Sequence, residues 1–324
     1  MSSNKPLVVI TRRWPERVEA RLQAQFDVEL NRDDVPFTPA QLADALARAD
    51  AVCPTVTDRL DASLFEQADV HARLLANFGV GVDHIDLPAA QAAGLQVTNT
   101  PDVLTDATAE IAMALLLMSA RRTGEGERLV RSGAWGGWHP THMLSTLITG
   151  KTLGLVGMGR IGSRFARQAA LGFGMKILYT SRSEVPAARL EGIAATRVEL
   201  PELLERADFV SLHCPATPET HHLLDAAALE LMPAHAHLIN TARGPVVDEA
   251  ALAKALAAGR LAGAGLDVYE REPQVHPDLL ELEQVVLLPH MGSGAVETRE
   301  AMGMKVLANL EAYFAGSEPP DRLG

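Results

Sequence analysis

A glycine-rich turn is the first part of the sequence whose residue types and spacing predict a chemical role. Gly157, Gly159 and Gly162 form a G-x-G-x-x-G motif between the apolar run TLGLV and the amphipathic stretch SRFARQAAL. Such glycines allow a tight turn between a strand and a helix, and they let a pyrophosphate approach the N–H groups at the positive end of that helix. The motif therefore predicts a dinucleotide-binding site, and the alternative is a tight turn without a ligand. The intervening residues of the predicted site are Met158, Arg160 and Ile161.

The predicted strand KILYT should end beside the adenosine ribose of such a ligand, where an acidic residue normally binds the 2′-hydroxyl. This sequence has Ser181, Arg182 and Ser183 at that place. Hydroxyl groups and a guanidinium suit a 2′-phosphate better than a free hydroxyl. We therefore predict that NADP(H) is preferred, with NAD(H) also possible. In the alternative, Arg182 stacks on the adenine or faces solvent, and Glu184 binds the ribose.

Polar residues follow three more predicted strands, in the segments NTARG (240–244), LDVYEREP (266–273) and PHMGS (289–293). Open α/β sheets bind their ligands at the carboxyl ends of parallel strands. Arg243, Glu272 and His290 are therefore candidates for one site with a cation, an acid and a proton-exchanging imidazole. Each also has a structural alternative, namely a helix cap for the arginine, a solvated turn for the glutamate and a structural role for the histidine.

The order of these motifs gives the chain a specific similarity. Together with the glycine-rich turn they resemble the D-isomer-specific 2-hydroxyacid dehydrogenase family, most of all its glyoxylate and hydroxypyruvate reductases. The resemblance covers almost the whole chain, and its further matching stretches are VGVD (80–83), NTPDVLTDATAE (99–110) and GAWGGWHP (133–140). It implies NAD(P)H-dependent reduction of glyoxylate to glycolate and of hydroxypyruvate to D-glycerate. Other activities of the superfamily, on D-3-phosphoglycerate, formate or phosphite, and a non-enzymatic dinucleotide-sensing corepressor are the alternatives.

The resemblance also implies roles for individual residues. His290 would protonate the keto oxygen of the substrate, Glu272 would orient the imidazole and favour its charged form, and Arg243 would hold the 2-keto acid by paired hydrogen bonds. Backbone N–H groups at Val80 and Gly81 would bind the substrate carboxylate. The remaining residues assigned to the substrate pocket, which set its shape, are Leu104 and Trp138.

An acidic residue at a strand end, Asp267, could act as a base, but the resemblance places it near the nicotinamide carboxamide. We therefore expect Asp267 to be a cofactor-binding residue. The other residues expected at the cofactor site are Cys214, Thr220, Thr241, Ala242 and Gly292. No metal is expected, because protonation by His290 replaces Lewis-acid polarisation of the carbonyl. His221, His222, His235 and His237 lack metal-ligand spacing and are expected at the surface or at helix ends.

Trp138 matches a tryptophan that, in the hydroxypyruvate reductase branch, reaches the active site of the neighbouring subunit. The resemblance therefore implies a homodimer. In the alternative, Trp135 and Trp138 only anchor the surrounding loop to their own subunit.

Short β-branched or Leu-rich runs alternate with amphipathic or Ala-rich segments along the chain, which predicts an α/β protein with parallel sheets. We expect two doubly wound domains that are interleaved. A flavodoxin-like substrate domain combines residues 1–100 with the returning segment 291–324, and a Rossmann-type cofactor domain spans 101–290. Residues 106–122 are predicted as a buried helix, 124–150 as a long loop and 316–324 as an irregular tail.

The composition excludes several classes of protein. The chain has 324 residues and a formal net charge of −12, which is the wrong sign for non-specific binding to nucleic acid. Its longest apolar run, Ile111–Met118, is far shorter than the roughly 18 residues of a membrane span, and the start lacks a signal-peptide pattern. Two distant cysteines suit a reducing compartment. The expectation is therefore a cytoplasmic enzyme that binds small molecules.

Overall fold

The computed structural model describes residues 5–323, which form two compact units. The two units are named here for their place in the sequence. The outer unit contains residues 5–104 and 293–323, and the central unit contains Thr105–Gly292. The expected domain boundaries lay at residues 100 and 290.

The first part of the outer unit alternates strands and helices. These are β1 (Leu7–Ile10), α1 (Glu16–Gln25), β2 (Asp27–Leu30), α2 (Pro39–Arg48), β3 (Ala51–Cys53), α3 (Ala62–Gln67), β4 (Leu74–Ala76), α4 (Leu87–Ala92) and β5 (Gln96–Thr98). The starts of α2, α3 and α4 follow local sequence signals, because a side chain caps each of these helices. Thr38, for example, caps α2 in a capping box with Gln41, and Pro39 occupies the first turn, where its missing N–H costs nothing.

The central unit begins with two helices, α5 (Thr105–Arg121) and α6 (Thr123–Arg131), and then alternates again. Its remaining elements are β6 (Thr152–Val156), α7 (Arg160–Phe173), β7 (Lys176–Thr180), β8 (Ala195–Arg197), α8 (Leu200–Arg206), β9 (Phe209–Leu212), α9 (Ala226–Leu231), β10 (His237–Asn240), α10 (Glu249–Ala257), β11 (Gly263–Leu266), α11 (Pro277–Leu280) and β12 (Val285–Leu287).

The chain then returns to the outer unit through α12 (Val296–Phe314) and β13 (Arg322–Leu323). The outer sheet has the order β2-β1-β3-β4-β5-β13, and within the described residues every pairing is parallel except that of β13 with β5. This is the flavodoxin-like order with one added edge strand.

The central sheet is parallel throughout and has the order β8-β7-β6-β9-β10-β11-β12. Its middle strands are buried on both faces, because alternate residues enter two separate cores. On β9, Val210 packs in one core and Phe209 in the other, and on β10 Leu238 and Ile239 divide in the same way. The structure confirms the expected fold class, two doubly wound parallel-sheet units.

Three expectations about local structure were wrong. The predicted loop at 124–150 begins with helix α6, which contains glycines that locally disfavour a helix. Ion pairs between side chains one turn apart, including Arg131–Glu127, support this helix. The tail ends in β13, because Arg322 and Leu323 pair with β5. His237 was expected at the surface or at a helix end, but it lies in the buried strand β10 with 4% of its surface exposed. Burial lowers the pKa of His237 to about 4.

No helix within residues 5–323 combines the length and apolar composition that crossing a bilayer requires. In the same part of the chain, no cluster of three or more His, Cys, Asp or Glu side chains has a geometry that could hold a metal ion.

Candidate active site

The glycine-rich turn joins β6 to α7, and its three glycines meet different surroundings. Gly157 has φ +99°, and a Cβ there would lie 2.8 Å from the carbonyl carbon of His213. A Cβ on Gly162 would collide with the carbonyl oxygen of Gly157. The fold itself therefore requires glycine at these two positions.

Gly159 is the exception within this turn. Its φ of −74° is ordinary, and a Cβ there would meet no atom within 4 Å. Since it directly precedes the first residue of α7, a glycine here leaves open space beside the N-terminus of that 14-residue helix. An open space at this place fits a pyrophosphate held by helix N–H groups. Beside it, Met158 is buried, Ile161 is half-buried and Arg160 is exposed.

The segment after β7 contains the predicted ribose-binding residues. Ser181 Oγ donates to the Ser183 carbonyl at 2.6 Å, and Arg197 Nη2 donates to the Ser181 carbonyl at 2.8 Å. Arg182 and Glu184 are both exposed. The turn is thus held by its serines and by Arg197, while the charged groups of Arg182 and Glu184 face solvent.

Cys214 follows β9 and lies near Arg182. Burial raises the pKa of the Cys214 thiol to about 11, and the charge of Arg182 opposes this shift. The structure therefore brings Arg182 to the same edge of the sheet as the end of β9. Thr220 has an internal role there, since its hydroxyl donates to the Pro215 carbonyl at 2.7 Å and accepts from the Thr217 N–H at 2.8 Å.

The segment after β10 is wrapped around a buried asparagine. Asn240 Oδ1 accepts from the Ala242 N–H at 3.0 Å, and Asn240 Nδ2 donates to the Arg243 carbonyl at 3.0 Å. A Cβ on Gly244 would overlap the backbone of Tyr269, so this turn packs directly against the segment that leads to Glu272. The backbone of Arg243 is therefore held from both sides.

A buried hydroxyl group, that of Thr241, lies two residues before Arg243 in the sequence. Arg243 is half-buried, and its Nη1 donates to the Ala242 carbonyl at 2.8 Å. Thr241 is 8% exposed, and its buried hydroxyl oxygen has no hydrogen-bond partner within residues 5–323. Buried hydroxyl groups are normally bonded, so this orphan oxygen fits a site that is completed by a ligand.

His290 and Glu272 form the central pair of the site. His290 Nδ1 lies 2.7 Å from Glu272 Oε2, and the other carboxylate oxygen accepts from the Tyr269 N–H at 3.1 Å. The two side chains are 30% and 33% exposed. A carboxylate can only accept, so the proton of the bond lies on Nδ1, and Nε2 is the nitrogen that can exchange a proton with a ligand.

Asp267 anchors the loop that carries His290. Its two carboxylate oxygens accept from the N–H groups of Met291 and Gly292 at 2.7 and 2.8 Å. Asp267 is 1% exposed, and burial raises its pKa although the two N–H groups oppose the shift. Because His290 has φ +51°, in the left-handed region, these bonds hold a backbone shape that the sequence alone would not favour.

Sequence reasoning missed two residues that support this pair. The Tyr269 hydroxyl donates to the Leu288 carbonyl at 2.7 Å, two residues before His290. Thr108 on α5 donates from its hydroxyl to the Gly292 carbonyl at 3.1 Å. Neither residue carried a signal in the sequence, because each is a single hydroxyl-bearing side chain in a segment of mixed polarity.

The predicted substrate residues differ in their surroundings. Val80 and Gly81 lie half-buried in the loop after β4, and Leu104 packs on the core of the outer unit. Trp138 is 79% exposed and lies in a segment with other exposed apolar side chains. These are Trp135, Leu144 and Leu147.

Comparison with known proteins assigns this site to a family. The family profile described as "D-isomer specific 2-hydroxyacid dehydrogenase, NAD binding domain" matches residues 113–292. A glyoxylate reductase of Thermococcus litoralis is 46% identical over 321 residues, which cover 98% of this chain and 96% of that protein. The chain belongs to the D-isomer-specific 2-hydroxyacid dehydrogenase family. It is therefore an oxidoreductase that reduces 2-keto acids with a nicotinamide dinucleotide.

Solved structures agree with this assignment. The dehydrogenase matches the TT0316 protein of Thermus thermophilus with a TM-score of 0.91 and 43% identity, over 98% of this chain and 100% of that chain. It matches an NADPH-dependent glyoxylate/hydroxypyruvate reductase of Sinorhizobium meliloti, solved with NADP and malonate, with a TM-score of 0.86 and 35% identity. That match covers 99% of this chain and 97% of the other. The expected family and enzyme class are confirmed.

Proposed function

We propose that this dehydrogenase reduces glyoxylate to glycolate and hydroxypyruvate to D-glycerate, with NADPH as its preferred coenzyme. The observation that carries the proposal is the pair of His290 and Glu272, joined at 2.7 Å on a loop that Asp267 anchors. The substrate class is supported by the glyoxylate reductase and the glyoxylate/hydroxypyruvate reductase to which the chain is similar.

His290 is the proposed proton donor. When bound, reduced nicotinamide supplies the hydride that the keto carbon takes up. His290 transfers the proton from Nε2 to the keto oxygen, which avoids an alkoxide with no counter-charge. Glu272 accepts the hydrogen bond from Nδ1 throughout the reaction, so the proton stays on Nδ1 and the ring keeps one orientation. Asp267 carries out the corresponding task for the backbone, because it holds the residues that follow His290.

The substrate acid is proposed to be held by Arg243 and by the loop at Val80 and Gly81. A guanidinium can donate two parallel hydrogen bonds to a 2-keto acid, which aligns the carbonyl as well as binding it. The backbone N–H groups of the loop would bind the carboxylate. Leu104 and Trp138 are proposed to limit the size of the substrate side chain.

The preference for NADPH is proposed from the segment after β7. Arg182 presents an exposed guanidinium and lies near the half-buried Cys214, and the serines on each side offer hydroxyl groups. We assign the pyrophosphate to the turn at 157–162, and Thr241, Ala242, Asp267 and Gly292 to the nicotinamide end.

A coenzyme and substrate panel tests these proposals. The initial rate of coenzyme oxidation is measured with glyoxylate, hydroxypyruvate and pyruvate, each with NADPH and with NADH. We expect the first two acids to have the highest kcat/KM and NADPH to have the lower KM. A dehydrogenase that prefers a bulkier keto acid with either coenzyme would overturn the proposed substrates.

Two variants separate the alternatives for the ribose site. Arg182→Ala should raise the KM for NADPH about tenfold or more and leave the KM for NADH nearly unchanged, since only the phosphate contact is lost. Glu184→Gln is the matched control and should change neither value. If Glu184→Gln instead raised the KM for NADH alone, Glu184 would be the ribose ligand and the preference for NADPH would be wrong.

A homodimer is proposed from the exposed apolar side chains between Trp135 and Leu147. Trp138 is 79% exposed and Leu144 is 67% exposed, and exposed apolar groups this close together in the sequence favour burial against another chain. We propose that a second copy of the chain covers them. Light scattering should give twice the chain mass, and Trp138→Ser should shift it toward the monomer. A wild-type monomer with full activity would exclude the dimer.

A cytoplasmic location is proposed from the cysteines. Cys53 and Cys214 are both free thiols, which suits a reducing compartment. Fractionation of cells that produce the enzyme should place the activity with cytoplasmic markers.

A further inference from the structure

The loop after β4 is held by two asparagine side chains. Asn77 is fully buried, and its Nδ2 donates to the carbonyls of Gly79 and Gly81 at 3.0 and 3.1 Å. Asn99 Nδ2 donates to the Val80 carbonyl, which lies between them, at 2.9 Å. Three successive carbonyl oxygens of the loop are therefore bound by side-chain amides.

The orientation of the Asn77 amide is set by its surroundings. Only the nitrogen side of an amide can donate to the two carbonyls, so Oδ1 is the atom that faces His84 Nε2 at 3.0 Å. The imidazole therefore donates to Asn77, and the amide is held at both ends. A side chain held in this way can fix the shape of the loop around it.

The bound carbonyls also determine where the N–H groups of the loop point. In a trans peptide the C=O of one residue and the N–H of the next point in opposite directions. The N–H groups of Val80, Gly81 and Val82 are therefore turned away from the amides that hold the preceding carbonyls. Within residues 5–323 these three N–H groups have no hydrogen-bond acceptor. A loop with its acceptors occupied and its donors available is suited to an anion.

We propose that Asn77 is a positioning residue for binding of the substrate carboxylate, with Asn99 as a second attachment of the same loop. The inference rests on the proposed function, in which N–H groups at Val80 and Gly81 bind that carboxylate. Asn77 itself does not touch the substrate. It acts by holding two carbonyls, so that the opposed N–H groups keep the spacing that a carboxylate needs.

Two variants test the proposal, Asn77→Ala and Asn99→Ala. Alanine removes the amide without adding a charge that would itself repel an anion. Asn31→Ala is the matched control, because Asn31 Nδ2 also donates to two backbone carbonyls of the outer unit, those of Thr11 and Val35, both at 2.7 Å. If the loss of any amide that bridges two carbonyls weakened binding of the substrate acid, the Asn31→Ala variant would show the same weakening.

The measurements are KM for glyoxylate, KM for the coenzyme and inhibition by oxalate, a carboxylate that cannot be reduced. Asn77→Ala should raise the KM for glyoxylate and the inhibition constant for oxalate together, by about tenfold, as expected for a displaced hydrogen-bonding group. Asn99→Ala should raise both severalfold. The KM for the coenzyme should stay within about twofold of wild type in all variants. Asn31→Ala should change neither the KM for glyoxylate nor the inhibition constant for oxalate.

The possible outcomes separate the inference from the function. The inference alone is overturned if the wild type is active and both Asn77→Ala and Asn99→Ala retain the wild-type KM for glyoxylate and inhibition constant for oxalate. The inference is also overturned if the KM for glyoxylate and the inhibition constant for oxalate rise equally in all three variants, because the cause would then be a general loss of stability. If Asn77→Ala does not fold, Asn99→Ala decides by the same criterion. A wild type that reduces no 2-keto acid would overturn the proposed function, and the inference with it.

Discussion

The glycine-rich turn allows a prediction that separates what the fold requires from what a ligand requires. Gly157→Ala would place a side chain at φ +99° and bring its Cβ within 2.8 Å of backbone that cannot move aside easily. The left-handed conformation alone costs about 1–2 kcal/mol. With the steric overlap, we expect a loss of about 3 kcal/mol in the free energy of unfolding.

Gly159→Ala should behave in the opposite way. At φ −74° and with no atom within 4 Å, the added methyl group fits the protein without strain, so the stability should stay within about 0.5 kcal/mol of wild type. The methyl group would, however, occupy the space that we assign to the pyrophosphate. Overpacking of this kind costs about 1–3 kcal/mol, which corresponds to a rise of about 5- to 150-fold in the Kd for NADPH.

The assay pairs thermal unfolding with coenzyme binding followed by protein fluorescence. For a unit of this size each kcal/mol shifts Tm by about 2–4 °C, so Gly157→Ala should unfold roughly 6–12 °C below wild type. Gly172→Ala, on an open face of α7 with no atom within 4 Å, is the control. It should leave the Kd for NADPH unchanged and raise the free energy of unfolding by at most about 1 kcal/mol, because alanine favours the helix more than glycine does. If Gly159→Ala bound NADPH as tightly as wild type, the open side of the turn would not be the pyrophosphate site.

Three further predictions concern the central unit. His290→Gln should lower kcat by about 10² to 10⁴ without changing the Kd for the coenzyme, and single-turnover rates near wild type would refute its role as proton donor. Burial lowers the pKa of His237 to about 4 in the folded protein, whereas the unfolded chain binds the proton near the ordinary value of 6.5. Since protonation then favours the unfolded chain, the free energy of unfolding should decline as the pH falls below about 6.5. His237→Asn should flatten this decline in urea titrations between pH 7 and pH 5, and an unchanged slope would contradict the assignment. Tyr269→Phe removes the bond to the Leu288 carbonyl and should cost about 1 kcal/mol of stability together with a severalfold loss of kcat, whereas an unchanged kcat would show that this bond does not position His290.

Local signals in the sequence were sufficient for much of the fold. The strands β6 and β7 coincide with the runs TLGLV and KILYT, because each run is a short, mainly apolar segment next to turn residues. The start of α2 also follows from a local signal, because Thr38 caps it within the same four residues that form the first turn. These features depend only on near neighbours along the chain.

Contacts between distant residues could not be predicted in the same way. The strand β13 exists because two residues of the tail pair with β5, more than 200 positions earlier in the sequence. Helix α6 contains two glycines that argue against a helix locally, yet ion pairs along its exposed face support it. The burial of His237 follows from its strand lying in the middle of a sheet, which its neighbours in sequence do not specify.

The candidate site divides in the same manner. The sequence by itself determined the types of residue that the proposed chemistry needs, since Arg243, Glu272 and His290 each follow a recognisable strand in a recognisable motif. Only the tertiary structure decided how the segments of the site are held. Asp267 accepts hydrogen bonds from two N–H groups in the loop of His290, and Asn77 bridges the carbonyls on either side of Val80. The physical reason is that a residue's chemistry is a property of its side chain, whereas its position depends on hydrogen bonds whose partners come together only when the sheets form.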